Sequence, residues 1–287
     1  MVDDWYNSFD GELPVSLSQE EENRLRNEIW QEISPQVRAR TYYLNTVWGK
    51  AAAVTLLLAS AGLAYLLVRT PDPMSAYTEI STKAGEKKTV TLEDGSVLVL
   101  NAGSTIRISK DLSRERKLKL IDGEVFFDVK GIKDNPFTVE SGPLVTTVLG
   151  TSFDIVAYQA LNSLRVGVIS GKVLVKGNTG SADVLGQQQV LVFDKQQGTG
   201  KIGVLDQDIL EWQQGKLLLN DASFEEMAVL MQKNFGITII AEQDHVKTTR
   251  YTTELSTVMA PEKAAEVLAA IHHLKIKVIN HQILIYE

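Results

Sequence analysis

The chain has 287 residues, a net charge of −7 and no cysteine. Without thiols it has no disulfides, no thiolate metal site and no cysteine nucleophile, and its acidic balance argues against wholesale nucleic-acid binding. The length leaves room for a small head, one membrane span and two modest domains.

Residues 1–47 form the head. Up to Ser34 its acids are Asp3, Asp4, Asp10, Glu12, Glu20, Glu21, Glu22, Glu28 and Glu32, against two bases, Arg24 and Arg26. Ser18-Gln19-Glu20-Glu21 reads as a capping box with Ser18 as N-cap and Glu21 at N3, and the acids suit a helix N-terminus. Leu25, Ile29, Trp30 and Ile33 follow as one stripe at helical spacing, and Pro35 ends the run. Trp5, Tyr6, Phe9 and Leu13 make a second apolar group. A segment this short buries little core of its own. An acidic, amphipathic segment suits a basic protein surface, such as the nucleic-acid-binding face of a transcription factor. The alternative, Trp30 and Ile33 packed on Trp5 and Phe9 in a mini-bundle, does not exclude such binding.

From Ala51 to Val68 the sequence carries no charge, and Lys50 and Arg69 bracket it. A helix of that length spans about 27 Å, close to the ~30 Å hydrocarbon core of a bilayer. The run is apolar all round, unlike a core helix with one polar face. Tyr42, Tyr43 and Trp48 stand where interfacial aromatics belong. These features predict a transmembrane helix over 48–69. The long acidic stretch before it argues against a cleaved signal peptide and for an uncleaved signal anchor. Arg38, Arg40 and Lys50 precede the span, while Arg69 and Lys83 follow it, which predicts a cytoplasmic head and an exported tail.

After a linker over 70–77, the region 78–205 alternates short apolar runs with turns. Thr89–Leu92 and Val97–Leu100 flank Asp94-Gly95, and Lys117–Ile121 and Val125–Val129 flank Asp122-Gly123; both read as hairpins. Further turns fall at Ser141-Gly142-Pro143, Ser170-Gly171 and Gly177-Asn178. The pattern predicts an all-β sandwich or roll. Catalytic signals are sparse. Glu124 and Asp128 share a strand face, a position better read as solvated than as an acid–base pair. Gly167–Lys172 lacks the glycine spacing and hydroxyl of a P-loop. His245, His272, His273 and His281 show no metal-binding spacing.

Five segments in this region occur in a specific order: TVTLEDGSVLVLNAGSTI (Thr89–Ile106), GEVFFDV (Gly123–Val129), NPFTVES (Asn135–Ser141), VLGTSFDIVAY (Val148–Tyr158) and GKVLVKG (Gly171–Gly177). Together they resemble the periplasmic domain of the FecR family of anti-sigma factors, in its Bacteroidetes type. The resemblance implies a single-span inner-membrane regulator of an extracytoplasmic-function sigma factor, with periplasmic domains that receive a signal from an outer-membrane TonB-dependent receptor. It also implies a role for Gly150-Thr151, because in some such regulators the matching bond cleaves itself: the Thr hydroxyl attacks the preceding carbonyl in an N-to-O acyl shift, and water then opens the ester. The residue types suit this, since glycine tolerates a strained backbone and a positioned Thr hydroxyl is a nucleophile. A glycine that merely makes a bulge or close strand contact is the other reading.

In residues 206–287 the period changes. Lys216–Leu219 reads as a strand. Ser223-Phe224-Glu225-Glu226 is a capping box, Met227, Leu230, Met231 and Phe235 form a helical stripe, and Gly236 suits the C′ position. Strands at Ile237–Ile240 and Arg250–Leu255 follow. A helix then starts near Pro261 with Ala264, Leu268, Ile271 and Leu274 on one face, and a hairpin of Ile276–Ile279 and Ile283–Ile285 closes the chain. This α+β module resembles the carboxy-terminal signalling-type module of FecR-like proteins, which implies protein–protein contact through an exposed strand.

The sequence therefore predicts a membrane-anchored multidomain protein: a short helical segment, one transmembrane helix, an all-β sandwich or roll, and a small α+β (βαββαββ) domain. The head, through Trp5, Leu25, Ile29, Trp30 and Ile33, is expected to bind the sigma factor. Periplasmic and intramembrane proteases are expected to release it. No cofactor, metal or direct nucleic-acid contact is expected, and no enzymatic activity beyond self-cleavage at Gly150-Thr151. The alternative is a membrane-tethered periplasmic structural or ligand-binding module without a transcriptional role.

Overall fold

The computed structural model describes residues 18–21, 23, 24, 27, 28, 54–60, 77–177, 182–206, 208–279 and 282–287. The chain divides into two compact units, Met1–Thr70 and Pro71–Glu287.

In the first unit the capping box forms. The Glu21 N–H donates to Ser18 Oγ at 3.4 Å, and the Ser18 N–H donates back to Glu21 Oε2 at 3.1 Å. The expected transmembrane helix is corrected. Its described helical residues are 54–60, about 10 Å of helix, and among the described residues no helix is long and apolar enough to cross a membrane. Ser60 turns its hydroxyl back onto the Leu57 carbonyl at 2.9 Å, a local bond that competes with helix propagation. Over its described residues the chain is mostly β-sheet with few helices.

The second unit opens with fourteen strands: β1 (Tyr77–Ser81), β2 (Lys88–Thr91), β3 (Val97–Leu100), β4 (Thr105–Ser109), β5 (Lys117–Asp122), β6 (Glu124–Asp128), β7 (Phe137–Ser141), β8 (Leu144–Val148), β9 (Ser152–Val156), β10 (Ser163–Ser170), β11 (Val173–Gly177), β12 (Ala182–Leu185), β13 (Gln189–Asp194) and β14 (Thr199–Val204). They build two seven-stranded sheets, ordered β1-β4-β5-β7-β8-β11-β12 and β14-β13-β10-β9-β6-β3-β2. Alternate residues point inward, so Leu98, Leu118, Val125, Phe127, Phe137, Phe153 and Ile155 fill a common core. Phe127 stacks on Phe153 at 4.8 Å and meets Phe137 edge-on at 6.3 Å.

The Asp94-Gly95 hairpin joins β2 to β3 as the turn chemistry predicts, with Gly95 at φ 82°. Asp122-Gly123 does not make a hairpin. β5 and β6 lie in different sheets, and Gly123, at φ 118°, turns the chain from one sheet to the other. Ser170-Gly171 is likewise a crossing, from β10 to β11.

The chain continues through a single 3-10 turn (Glu211–Gln214) into β15 (Lys216–Ala222), α1 (Phe224–Phe235), β16 (Thr238–Ala241), α2 (Asp244–Thr248), β17 (Tyr251–Ser256), α3 (Pro261–Ile271), β18 (Lys275–Ile279) and β19 (Gln282–Tyr286). β15 and β17 form an antiparallel ribbon, and a second sheet runs β16-β19-β18. The short helix α2 is an addition to the expected order; its one buried residue is Val246. Ser223 caps α1 by accepting the Glu226 N–H, and Gly236 ends it in the left-handed region. The Met227–Met231 stripe is core, packed with Tyr251, Leu268 and Ile285. Val156, Tyr158 and Leu161 from the sandwich join that same cluster.

Candidate functional site

Gly150-Thr151 lies on the crossing from β8 to β9. Two other crossings meet it. A Cβ on Gly150 would stand 2.7 Å from the Gly131 Cα, and one on Gly171 would stand 2.8 Å from Thr151 Oγ1 and 3.2 Å from the Gly150 carbonyl oxygen. The close approach of three backbones is why glycine occupies these positions. Thr151 is 4 % exposed. Its hydroxyl donates to the Lys172 carbonyl at 2.9 Å, and its own carbonyl accepts the Val129 N–H at 3.0 Å. The Lys172 carbonyl orients the hydroxyl. It is not a base, so attack on the Gly150 carbonyl would need a proton acceptor from elsewhere.

The strand-face carboxylates Glu124 and Asp128 have separate partners. Asn101 Nδ2 donates to Glu124 Oε2 at 2.6 Å, and Ser152 Oγ donates to Asp128 Oδ1 at 2.7 Å. The expected sigma-binding residues Trp5, Leu25, Ile29, Trp30 and Ile33 lie outside the described residues. His245 Nε2 stands 3.1 Å from Glu287 Oε1, and among the described residues no group of side chains could hold a metal ion.

Two buried polar clusters escape sequence reasoning. Arg116, 1 % exposed, donates to Asp94 Oδ2 at 2.7 Å, the Asn135 carbonyl at 3.0 Å, Ser96 Oγ at 3.2 Å and the Lys130 carbonyl at 2.8 Å. Burial pushes the Asp94 carboxyl up, but the Ser96 N–H and hydroxyl and the Arg116 guanidinium together hold it below its ordinary value. Only proximity across 22 residues of sequence creates the pair.

The second cluster lies on the outward face of β6, β9 and β10. Glu124, Asp154 and Arg165 share that face by register, with Phe126 opposite Asp154 and Val156 opposite both Glu124 and Arg165. Alternation makes such positions look solvated, yet Asp154 is 1 % exposed. Burial first, then the charge of Glu124, raises its carboxyl well above the usual range, against Arg165 and Trp212. Burial likewise raises Glu124, against Asn101, Arg165 and Lys87. The cover is Trp212, 6 % exposed, which follows Asp154 by 58 residues.

Residues 78–174 match the family model described as FecR protein. Over that segment the chain is similar to the FecR family. Two crystal structures of a candidate anti-sigma factor from Parabacteroides distasonis ATCC 8503 share its fold. Each is 27 % identical with a TM-score of 0.67, and the alignments cover 74 % and 73 % of this chain and 99 % of those chains. No curated protein matches.

Proposed function

We propose that this protein is an anti-sigma regulator, in which the acidic head holds a sigma factor and the sheet-rich unit governs that grip. The observation that carries the reading is the FecR segment within a fold shared over most of the chain with candidate anti-sigma factors. The partner is an extracytoplasmic-function sigma factor. The incoming signal is the signalling domain of an outer-membrane TonB-dependent receptor, which the folded unit meets in the periplasm. Regulated proteolysis between the head and the folded unit then ends the inhibition. Self-cleavage at Gly150-Thr151 belongs to the same reading as a maturation step; its signature is two fragments on a denaturing gel of the purified protein, and a single intact band would remove it.

The head supplies the chemistry for sigma binding: nine acids against two bases up to Ser34, with an apolar stripe beside them. Capture of the source organism's cytoplasmic sigma factors on the full chain tests this. Trp30→Asp is expected to weaken capture about tenfold or more, as loss of an aromatic anchor does. Unchanged capture by that variant would remove the helix face from the interface, and no capture by the native chain would remove the anti-sigma reading.

A further inference from the structure

Residues 208–215 join the sandwich to β15, and they lie against the outward face described above. Leu205 and Ile209 settle on Gly167 of β10, where an added Cβ would meet Leu205 Cδ1 at 2.5 Å and Ile209 Cδ1 at 3.0 Å. Trp212 follows and covers Asp154. Lys87, ahead of β2, donates to the Trp212 carbonyl and lies 6.0 Å from the indole centroid. The underside of this segment is polar and poorly matched. Both Asp154 carboxylate oxygens and Trp212 Nε1 are buried without a hydrogen-bond partner of good geometry, although the indole N–H is near enough to pull the Asp154 pKa down. A buried polar group left unpaired opposes the packing around it. The apolar seat on Gly167 therefore works against the polar contact at Asp154.

We propose that residues 208–215 form a releasable latch on the sandwich, with the Asp154 carboxyl as its release switch. The seat fits a neutral acid. Glu124 on β6, Arg165 on β10, Lys87 ahead of β2 and Trp212 on the latch surround the site; of the two cations Arg165 acts on Asp154 while Lys87 acts on Glu124, and the Glu124 carboxylate opposes ionisation of Asp154. Burial raises the Asp154 pKa, so the closed state holds a proton that the open state releases. Closure is then favoured at low pH and lost as pH rises through the closed-state pKa. Release uncovers the outward face and frees the connection between the sandwich and the elements from β15 onward. This holds whether or not the protein binds a sigma factor.

The test uses the full chain with Trp5, Trp30 and Trp48 each changed to Phe, so that Trp212 is the sole tryptophan. Acrylamide quenching of its emission reports opening. Quenching is expected to rise several-fold as pH is raised through the closed-state pKa, which lies above the ordinary Asp value, and to stay low throughout in Asp154→Asn, which keeps the shape without the charge. Gly167→Ala, which pushes Leu205 off its seat, is expected to expose Trp212 at every pH with far-ultraviolet circular dichroism unchanged. Should Gly167→Ala fail to fold, Asp154→Asn decides alone. Protection of Trp212 that does not change with pH, or an Asp154→Asn variant that opens as the native residue does, would overturn the latch.

Discussion

Arg116 shows how one side chain can fasten a sheet edge to a turn. Its guanidinium, 1 % exposed, faces Asp94 of the β2–β3 hairpin and two backbone carbonyls, and it lies 5.1 Å from the Phe137 ring. Breaking a buried pair by removing one partner strands the other charge. Arg116→Met is therefore expected to cost about 3–5 kcal/mol at neutral pH. The carboxyl of Asp94 sits below its ordinary value of 3.8. A depressed folded pKa contributes stability above the unfolded value, and that stability is lost as pH falls through the folded value. The gap in urea midpoint between the native chain and Arg116→Met should thus narrow below about pH 4. A gap that stays constant into acid would show that Asp94 is not what Arg116 stabilises.

At the scale of elements, glycines decide where the chain goes. Gly123 sits at φ 118°, and a Cβ there would fall 2.2 Å from Ser104 Oγ and 2.5 Å from the Ser104 Cα. Gly198, also at positive φ, has nothing within 4 Å. Ala at Gly198 is expected to cost about 1–2 kcal/mol, the left-handed strain alone, whereas Ala at Gly123 adds the overlap, for about 2–4 kcal/mol in all. Equal urea midpoints for the two variants would mean that the crossing relaxes freely. This pair also marks how far the sequence can be read. Asp94-Gly95 and Asp122-Gly123 look alike, and both give a glycine at positive φ with strands on either side. Local turn chemistry fixes the bend, but which sheet the next strand joins depends on β3, β4 and β9, which are distant in sequence. The capping box at Ser223 was legible because its partners lie three residues apart. The short helix α2 was not, since five residues with one buried position carry no period. At the candidate sites, Thr151 was visible as a residue type, but its acceptor on Lys172 arises only where two crossings meet. Asp154 carried no signal of its own in the sequence, because its cover, Trp212, comes from another part of the chain.

At the scale of the folded unit, two hydrophobic clusters are joined rather than separate. The loop after β9 serves both: Tyr158 lies in the second cluster, while its hydroxyl donates to the Ala102 carbonyl at 2.9 Å and its own carbonyl accepts from Lys195 Nζ at 2.8 Å. From the other side, α1 sends Lys233 to Asp122 Oδ2 at 2.6 Å and to the Gly103 carbonyl at 3.1 Å, with its ammonium 5.2 Å from the Tyr158 ring. Gly103 has to be glycine for this contact, because a Cβ there would meet Lys233 Cδ at 2.6 Å. Energy shared across the junction makes the two parts unfold together, and weakening the junction lets the smaller part open first. Thermal unfolding followed by Trp212 fluorescence, with Trp5, Trp30 and Trp48 changed to Phe, and by far-ultraviolet circular dichroism should then coincide when no other residue is changed. Lys233→Ala is expected to cost about 1–2 kcal/mol, the lower part of the range for charge-assisted bonds because the pair keeps some solvent contact. It should also separate the two transitions. Separate transitions with Lys233 intact would show that the sandwich and the elements from β15 onward are energetically independent, and coincident ones in Lys233→Ala would place the coupling in the apolar contacts of Tyr158 and Leu161 instead.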